Sequence, residues 1–194
     1  MQPRVAAYHG HVTRPLRADS ERTMRAILDA ANEVLATNPG ATLQQIADAA
    51  GVARTTVHRR FASREALLDA LAQDMLEQME AVIDEARPDT APPLVALHEL
   101  SAGYIRVKGR FRLSAAHPSD VHEDVIERIK AKNLALFRRL ADTGTIAPDT
   151  DIDWAIRVYF ALLHEAIERR AETGNEPDTL AAMVTSTLVG GLRG

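Results

Sequence analysis

Cysteine is absent from the 194 residues, which excludes disulfides and thiolate metal sites. Also missing is any run of about eighteen apolar residues, the length a membrane-spanning helix needs. The first residues carry no apolar leader core. A cytoplasmic protein with no membrane partner is therefore expected. There is no phosphate-cradling glycine-rich loop, no Gly-x-Ser-x-Gly elbow and no His-Glu-x-x-His, so neither an enzyme nor a cofactor is expected. His164 and Glu168 stand four apart, a chelating spacing. A single pair without further ligands reads better as a surface hydrogen bond, and no metal is expected. Strand-like alternation of useful length is absent throughout, which leaves an all-α fold.

What is present suffices for a core: 46% of the residues are hydrophobic, too many for a wholly disordered chain. The net charge of −4 is unevenly divided. Residues 1–70 hold nine basic and seven acidic side chains, a balance of +2, and residues 71–194 hold fourteen and twenty, a balance of −6. Affinity for a polyanion follows local rather than total charge, so a nucleic-acid partner would be met by the N-terminal part.

Within that part, residues 42–61 read as two short helices about a tight turn. Thr42 and Gln45 have capping-box spacing. Leu43, Ile46, Ala47 and Ala50 then form one apolar face, and Gly51 supplies the left-handed residue past a helix end. The second helix begins within about three residues, which demands a sharp corner. At 100° per residue, Ala53, Val57 and Phe61 share an inward face. Thr55, His58 and Arg59 point the other way, with Thr56 beside them and Arg54 and Arg60 on the flanks. This outward face carries no acid. Arginine presents a planar fork that fits phosphate or the O6/N7 edge of guanine, and threonine presents a hydroxyl and a methyl. A helix so furnished suits the DNA major groove.

The run 41–68, with its Ala-Gly-Val turn, Thr-Val-x-x-x-Phe and Ser-Arg-Glu-Ala-Leu-Leu, resembles the DNA-binding region of tetracycline-repressor (TetR) family regulators. It departs at His58, where the family usually has tyrosine; both side chains can donate to a phosphate. The resemblance spans roughly residues 20–75. It implies a phosphate contact from Arg64, pairing of the last two helices with those of a second copy, and a small-molecule effector inside the helical body.

The remaining chain is helical by pattern. Residues 1–18, with Pro3, Pro15, Arg4, Arg14 and Arg17, read as a flexible basic arm. Asp19 or Ser20 can cap a helix with the stripe Met24, Ile27, Leu28, Ala31, Val34 and Leu35, ended by Asn38, Pro39 and Gly40. A helix from Ser63 to about Ala86 buries Leu67, Leu68, Leu71, Met75, Met79, Val82 and Ile83. The next opens at Pro92 and Pro93 with Leu94, Val95, Leu97, Leu100, Tyr104 and Ile105, and breaks near Lys108 and Gly109. Another runs from Val121 to about Ala141, closed by Thr143 and Gly144. From Asp151 to about Ala171 apolar groups lie nearly all round the cylinder, which requires cover on all sides. The last helix starts at Pro177.

The expected architecture is thus an arm (1–18), a helix-turn-helix domain (19–66) and an effector-binding and dimerisation domain (67–194). Its expected partners are double-stranded DNA, a second copy of itself and an unidentified small-molecule effector. Thr55, Thr56 and Arg59 are the candidate base contacts. Thr42, His58, Arg60 and Arg64 are the candidate phosphate contacts, and Arg54 can serve either role. Tyr104, Phe111, Phe137, Trp154 and Tyr159 are the candidate lining of an effector cavity, with His98, Arg106, His117 and His164 as nearby polar groups. Ile156, Phe160, Leu163, Ile167, Met183, Val184 and Leu188 are the candidate dimer contacts. The expected activity is that of a repressor released from a palindromic operator by its effector. The rival reading is a helical small-molecule-binding protein or enzyme whose N-terminal module contacts protein rather than DNA. Should the arm touch DNA, removing residues 1–17 lowers operator affinity and flattens its salt dependence; an unchanged slope in a filter-binding salt series discounts the arm.

Overall fold

A computed structural model describes residues 13–110 and 122–192, and every regular element in them is a helix. The eight helices are α1 (Thr13–Thr37), α2 (Leu43–Ala49), α3 (Arg54–Arg60), α4 (Arg64–Ala86), α5 (Pro93–Arg110), α6 (Glu123–Asp142), α7 (Ile152–Thr173) and α8 (Pro177–Leu192). The chain divides into two compact units between Arg64 and Glu65, against an expected boundary at 66.

In the first unit, Ile27, Leu28, Ala31 and Leu35 of α1 are buried together with Ile46 and Ala47 of α2, and with Val57 and Phe61 at α3. Helix α1 begins earlier than expected. Asp19 and Ser20 lie inside it rather than at its cap, and residues 13–18 are helical rather than part of an arm. Pro15 is no obstacle, because the amides of a helix's first turn have no partner within the helix. The side chains of Arg14 and Arg17 lie outside the described residues, as do residues 1–12.

The second unit is built on α5, which buries Leu97, Leu100, Tyr104 and Ile105 among α6, α7 and α8. The described part of α5 runs through Lys108 and Gly109 to Arg110, and the residues that follow lie outside the described ones. Leu94 and Val95, near the start of α5, are exposed. Gly103 sits where a Cβ would lie 2.2 Å from Cγ1 of Val82, so α4 approaches α5 at a point with room for hydrogen alone. The expected closure after α6 is present, with Gly144 in left-handed backbone. Gly174 does the same after α7, and Asp151 caps α7 by accepting from the Trp154 amide at 3.1 Å.

Helices α4 and α6 are tied by charge. Arg128 donates to both carboxylate oxygens of Glu80 at 2.9 Å, and Lys132 bridges Glu80 (3.1 Å) and Asp84 (2.5 Å). The Arg128 hydrogen bonds, with help from Lys132, hold the Glu80 carboxyl down to about 2. A carboxylate whose folded pKa is depressed stabilises the fold above its unfolded pKa of about 4.3 and loses that contribution as pH falls toward 2. Arg128→Ala should return the Glu80 midpoint toward the ordinary range in a carboxyl-carbon NMR titration. It should also lower Tm slightly, by an amount that shrinks in high salt.

Candidate functional site

Helix α2 starts with the capping box read from its sequence. The Thr42 amide donates to Oε1 of Gln45 at 2.8 Å, and the Gln45 amide donates to Thr42 Oγ1 at 3.3 Å. It ends in a Schellman arrangement: Val52 N–H reaches the Ala47 carbonyl at 3.0 Å and Gly51 N–H reaches Asp48 at 3.2 Å. Gly51, at φ 66°, turns the chain so that α3 starts three residues later. Ala53 is not an inward residue. It is the exposed N-cap of α3, and its carbonyl accepts from Thr56 N–H at 2.8 Å.

Helix α3 has seven residues and buries only Val57 among them, with Phe61 beyond its end. Arg54, Thr55, His58 and Arg59 are exposed and Thr56 is half-buried. Thr55 and Arg59 are four apart and so adjacent on one face. Arg54 Nε donates to Nε2 of His58 at 3.2 Å. An accepting Nε2 places the imidazole proton on Nδ1, which leaves Nδ1–H as the donor of His58.

Two of the expected phosphate contacts also bond to the protein itself. Arg60 is half-buried, and its Nη2 donates to the Ser20 carbonyl at 3.2 Å and to the Ser20 hydroxyl, tying α3 to α1. Arg64 donates from Nη2 to the Pro39 carbonyl and from Nε to the Ala41 carbonyl at 3.4 Å. It thereby fastens the loop before α2. One guanidinium thus braces α3 and the other the loop before α2. Helical periodicity shows where a side chain leaves the axis, not whether a long one bends back. Thr42 remains exposed at the head of α2.

In the body, Tyr104, Phe137 and Tyr159 are buried, and Phe160 links the ring of Tyr104 to those of the other two. Phe137 and Tyr159 lie 5.4 Å apart, Tyr159 and Phe160 5.4 Å, and Tyr104 and Phe160 6.2 Å. Burial pushes both phenols above the ordinary tyrosine range, against smaller opposing pulls from hydrogen bonds with Asn133 and Ser101. Both are therefore neutral. Ser101 Oγ donates to the Leu97 carbonyl at 2.6 Å and lies 3.1 Å from the Tyr159 hydroxyl, which must then be the donor. Asn133 Nδ2 donates to Tyr104 Oη at 3.1 Å. Neither Asn133 nor Ser101 was anticipated. The readable signal was an amide among Leu134, Leu136 and Phe137 on an apolar helix. Phe111 and His117 lie outside the described residues. Trp154 does not belong with the cluster: it is 61% exposed at the start of α7. Arg106 and His164 are exposed, and His98 faces Asp178 at 3.9 Å.

The pattern described as "Bacterial regulatory proteins, tetR family" matches residues 27–71. Over 171 residues the chain is 33% identical to the HTH-type transcriptional repressor LfrR of Mycolicibacterium smegmatis, covering 88% of this chain and 90% of that one. The chain belongs to the TetR family. A solved structure of the TetR-like regulator LfrR from Mycobacterium smegmatis in complex with proflavine superposes with TM-score 0.69 at 31% identity. It covers 89% of this chain and 98% of that one. The TetR-family regulator PfmR of Thermus thermophilus shares the fold at TM-score 0.72 and 19% identity, over 87% and 99% of the two chains. Membership makes this chain a DNA-binding transcriptional regulator rather than an enzyme.

On this TetR-family body, α7 buries Ala155, Tyr159, Leu163 and Ala166 and leaves Trp154 and Phe160 (38%) exposed. Met183 of α8 is 45% exposed. Ile156 and Ile167 are half-buried, whereas Leu163, Val184 and Leu188 are core residues of the single chain and have no surface to offer a second copy. An open groove of about 510 Å³ runs between Leu94, Val95 and His98 of α5 and Ala182, Thr185, Ser186, Val189 and Gly190 of α8. Among the described residues no helix is long and apolar enough to cross a membrane, and no three potential metal ligands gather.

The two classes of arginine on α3 separate experimentally. Arg59→Ala should weaken binding to the specific site by about 1–3 kcal/mol with Tm unchanged. Arg60→Ala should lower stability by about 1 kcal/mol, measured by urea denaturation, and weaken specific and random DNA alike.

Proposed function

We propose that the protein is a homodimeric transcriptional repressor, acting in the cytoplasm, that reads a palindromic operator through α3 and leaves it when a small molecule enters the helical body. The exposed Thr55–Arg59 face, flanked by Arg54 and Thr56, carries the DNA reading: it offers donors and methyl groups with no acid among them. Thr55, Thr56 and Arg59 contact bases. Thr42 and the Nδ1–H of His58 contact phosphate, and Arg54 serves either.

Support for a second copy comes from Trp154, Phe160 and Met183, large apolar side chains left exposed on α7 and α8. Large apolar side chains exposed on α7 and α8 suit a partner surface, and twofold pairing would present α3 twice to one side of a duplex. The effector site is the aromatic cluster of Tyr104, Phe137, Tyr159 and Phe160. LfrR, the 31% identical relative, is seen in complex with proflavine, a planar aromatic cation. The acidic balance of residues 71–194 favours the same class here. Such a ligand releases DNA only by binding the DNA-incompetent arrangement more tightly.

Selection of bound fragments from random DNA should return a site with dyad symmetry, its half-sites one helical turn (about 34–36 Å) or a multiple apart. Fluorescence anisotropy on that site should show binding that weakens with added planar cation. Recovery of fragments without symmetry, or a monomer in sedimentation, would count against the proposal.

A further inference from the structure

Asn133 is 2% exposed, and its Oδ1 has no hydrogen-bond partner among the described residues. The hydrogen bonds fix the orientation of the amide. The Ile129 carbonyl, 2.8 Å away, can only accept, so the atom facing it is Nδ2, and the same nitrogen donates to Tyr104 Oη at 3.1 Å. With both Nδ2 hydrogens committed, Oδ1 is a fixed, buried acceptor. Asn133 lies one helical turn before Phe137, whose ring packs on Tyr159, while the Tyr104 ring that it holds stacks with Phe160. A buried acceptor without a donor is unfavourable, and native structures keep few of them. One held beside the Tyr104 hydroxyl is matched by a ligand that carries an N–H.

We propose that Asn133 Oδ1 selects effectors bearing an N–H donor, so that among planar aromatic cations those with amino or amide groups are bound in preference to those without. This rests on the effector reading above and adds to it a chemical criterion and the residue that applies it.

The test compares two cations with the same ring system, proflavine, which has amino groups, and N-methylacridinium, which has no N–H. The full-length protein is titrated with each and fluorescence is followed. Wild type should bind proflavine about tenfold or more tightly than N-methylacridinium. In Asn133→Leu the preference should vanish while N-methylacridinium affinity is retained, which doubles as the control for folding. Tyr104→Phe keeps Oδ1 and should keep the preference, a check that stands if Asn133→Leu fails to fold.

Equal wild-type affinities would mean that a water supplies the donor; the selection would then be wrong and the effector site would stand. Binding of neither cation would overturn the effector reading and this selection together. A preference that survives in Asn133→Leu, or disappears in Tyr104→Phe, would assign the recognition to another group and overturn the role of Asn133.

Discussion

Helix α3 has almost nothing to hold it except its two ends. Seven residues make two turns, and one face of two turns is Val57 alone, with Phe61 just beyond. Short helices are marginal in water and take their stability from packing. The outward face is left free of packing, so the anchoring must come from elsewhere. Gly51 fixes where α3 begins and the Arg60–Ser20 bonds fasten its far end to α1. Arg64 secures the loop that leads into α2. Direction and register of the exposed Thr55–Arg59 face follow from these three points.

The division of labour among the basic residues is the main refinement that coordinates bring to the sequence. An arginine count treats Arg54, Arg59, Arg60 and Arg64 as one cationic patch. In the structure Arg59 is exposed and Arg54 is steered by His58, whereas Arg60 and Arg64 donate to the protein's own carbonyls. Guanidinium suits both tasks because its donors form a rigid planar fork, equally able to cap a backbone and to grip an anion. A lysine at position 60 could not hold two oxygens of Ser20 in the same way.

Much of the fold was legible because its signals are local. The Thr42–Gln45 cap, the Gly51 turn and the Gly144 stop each act over four or five residues, and each is present. What was not legible depended on distance across the fold. Leu163, Val184 and Leu188 share apolar character with Phe160 and Met183, and periodicity cannot say which of two apolar faces meets the chain's own core. Trp154 was grouped with buried aromatics by composition, though its place in the first turn of α7 puts it at the surface. Asn133 escaped notice because its meaning lies in Tyr104, twenty-nine residues away.

The two joints of α4 within the second unit differ in kind. Against α5 the Val82 side chain fills the space that a Cβ on Gly103 would need, and close-packed atoms transmit displacement rather than absorb it. Against α6 the link is made by Arg128 and Lys132, long side chains that can swing and re-pair between Glu80 and Asp84. A push delivered through α5 therefore carries α4 along with it, while the same push from α6 is partly taken up in side-chain rotation. One joint behaves as a weld and the other as a slipping clutch.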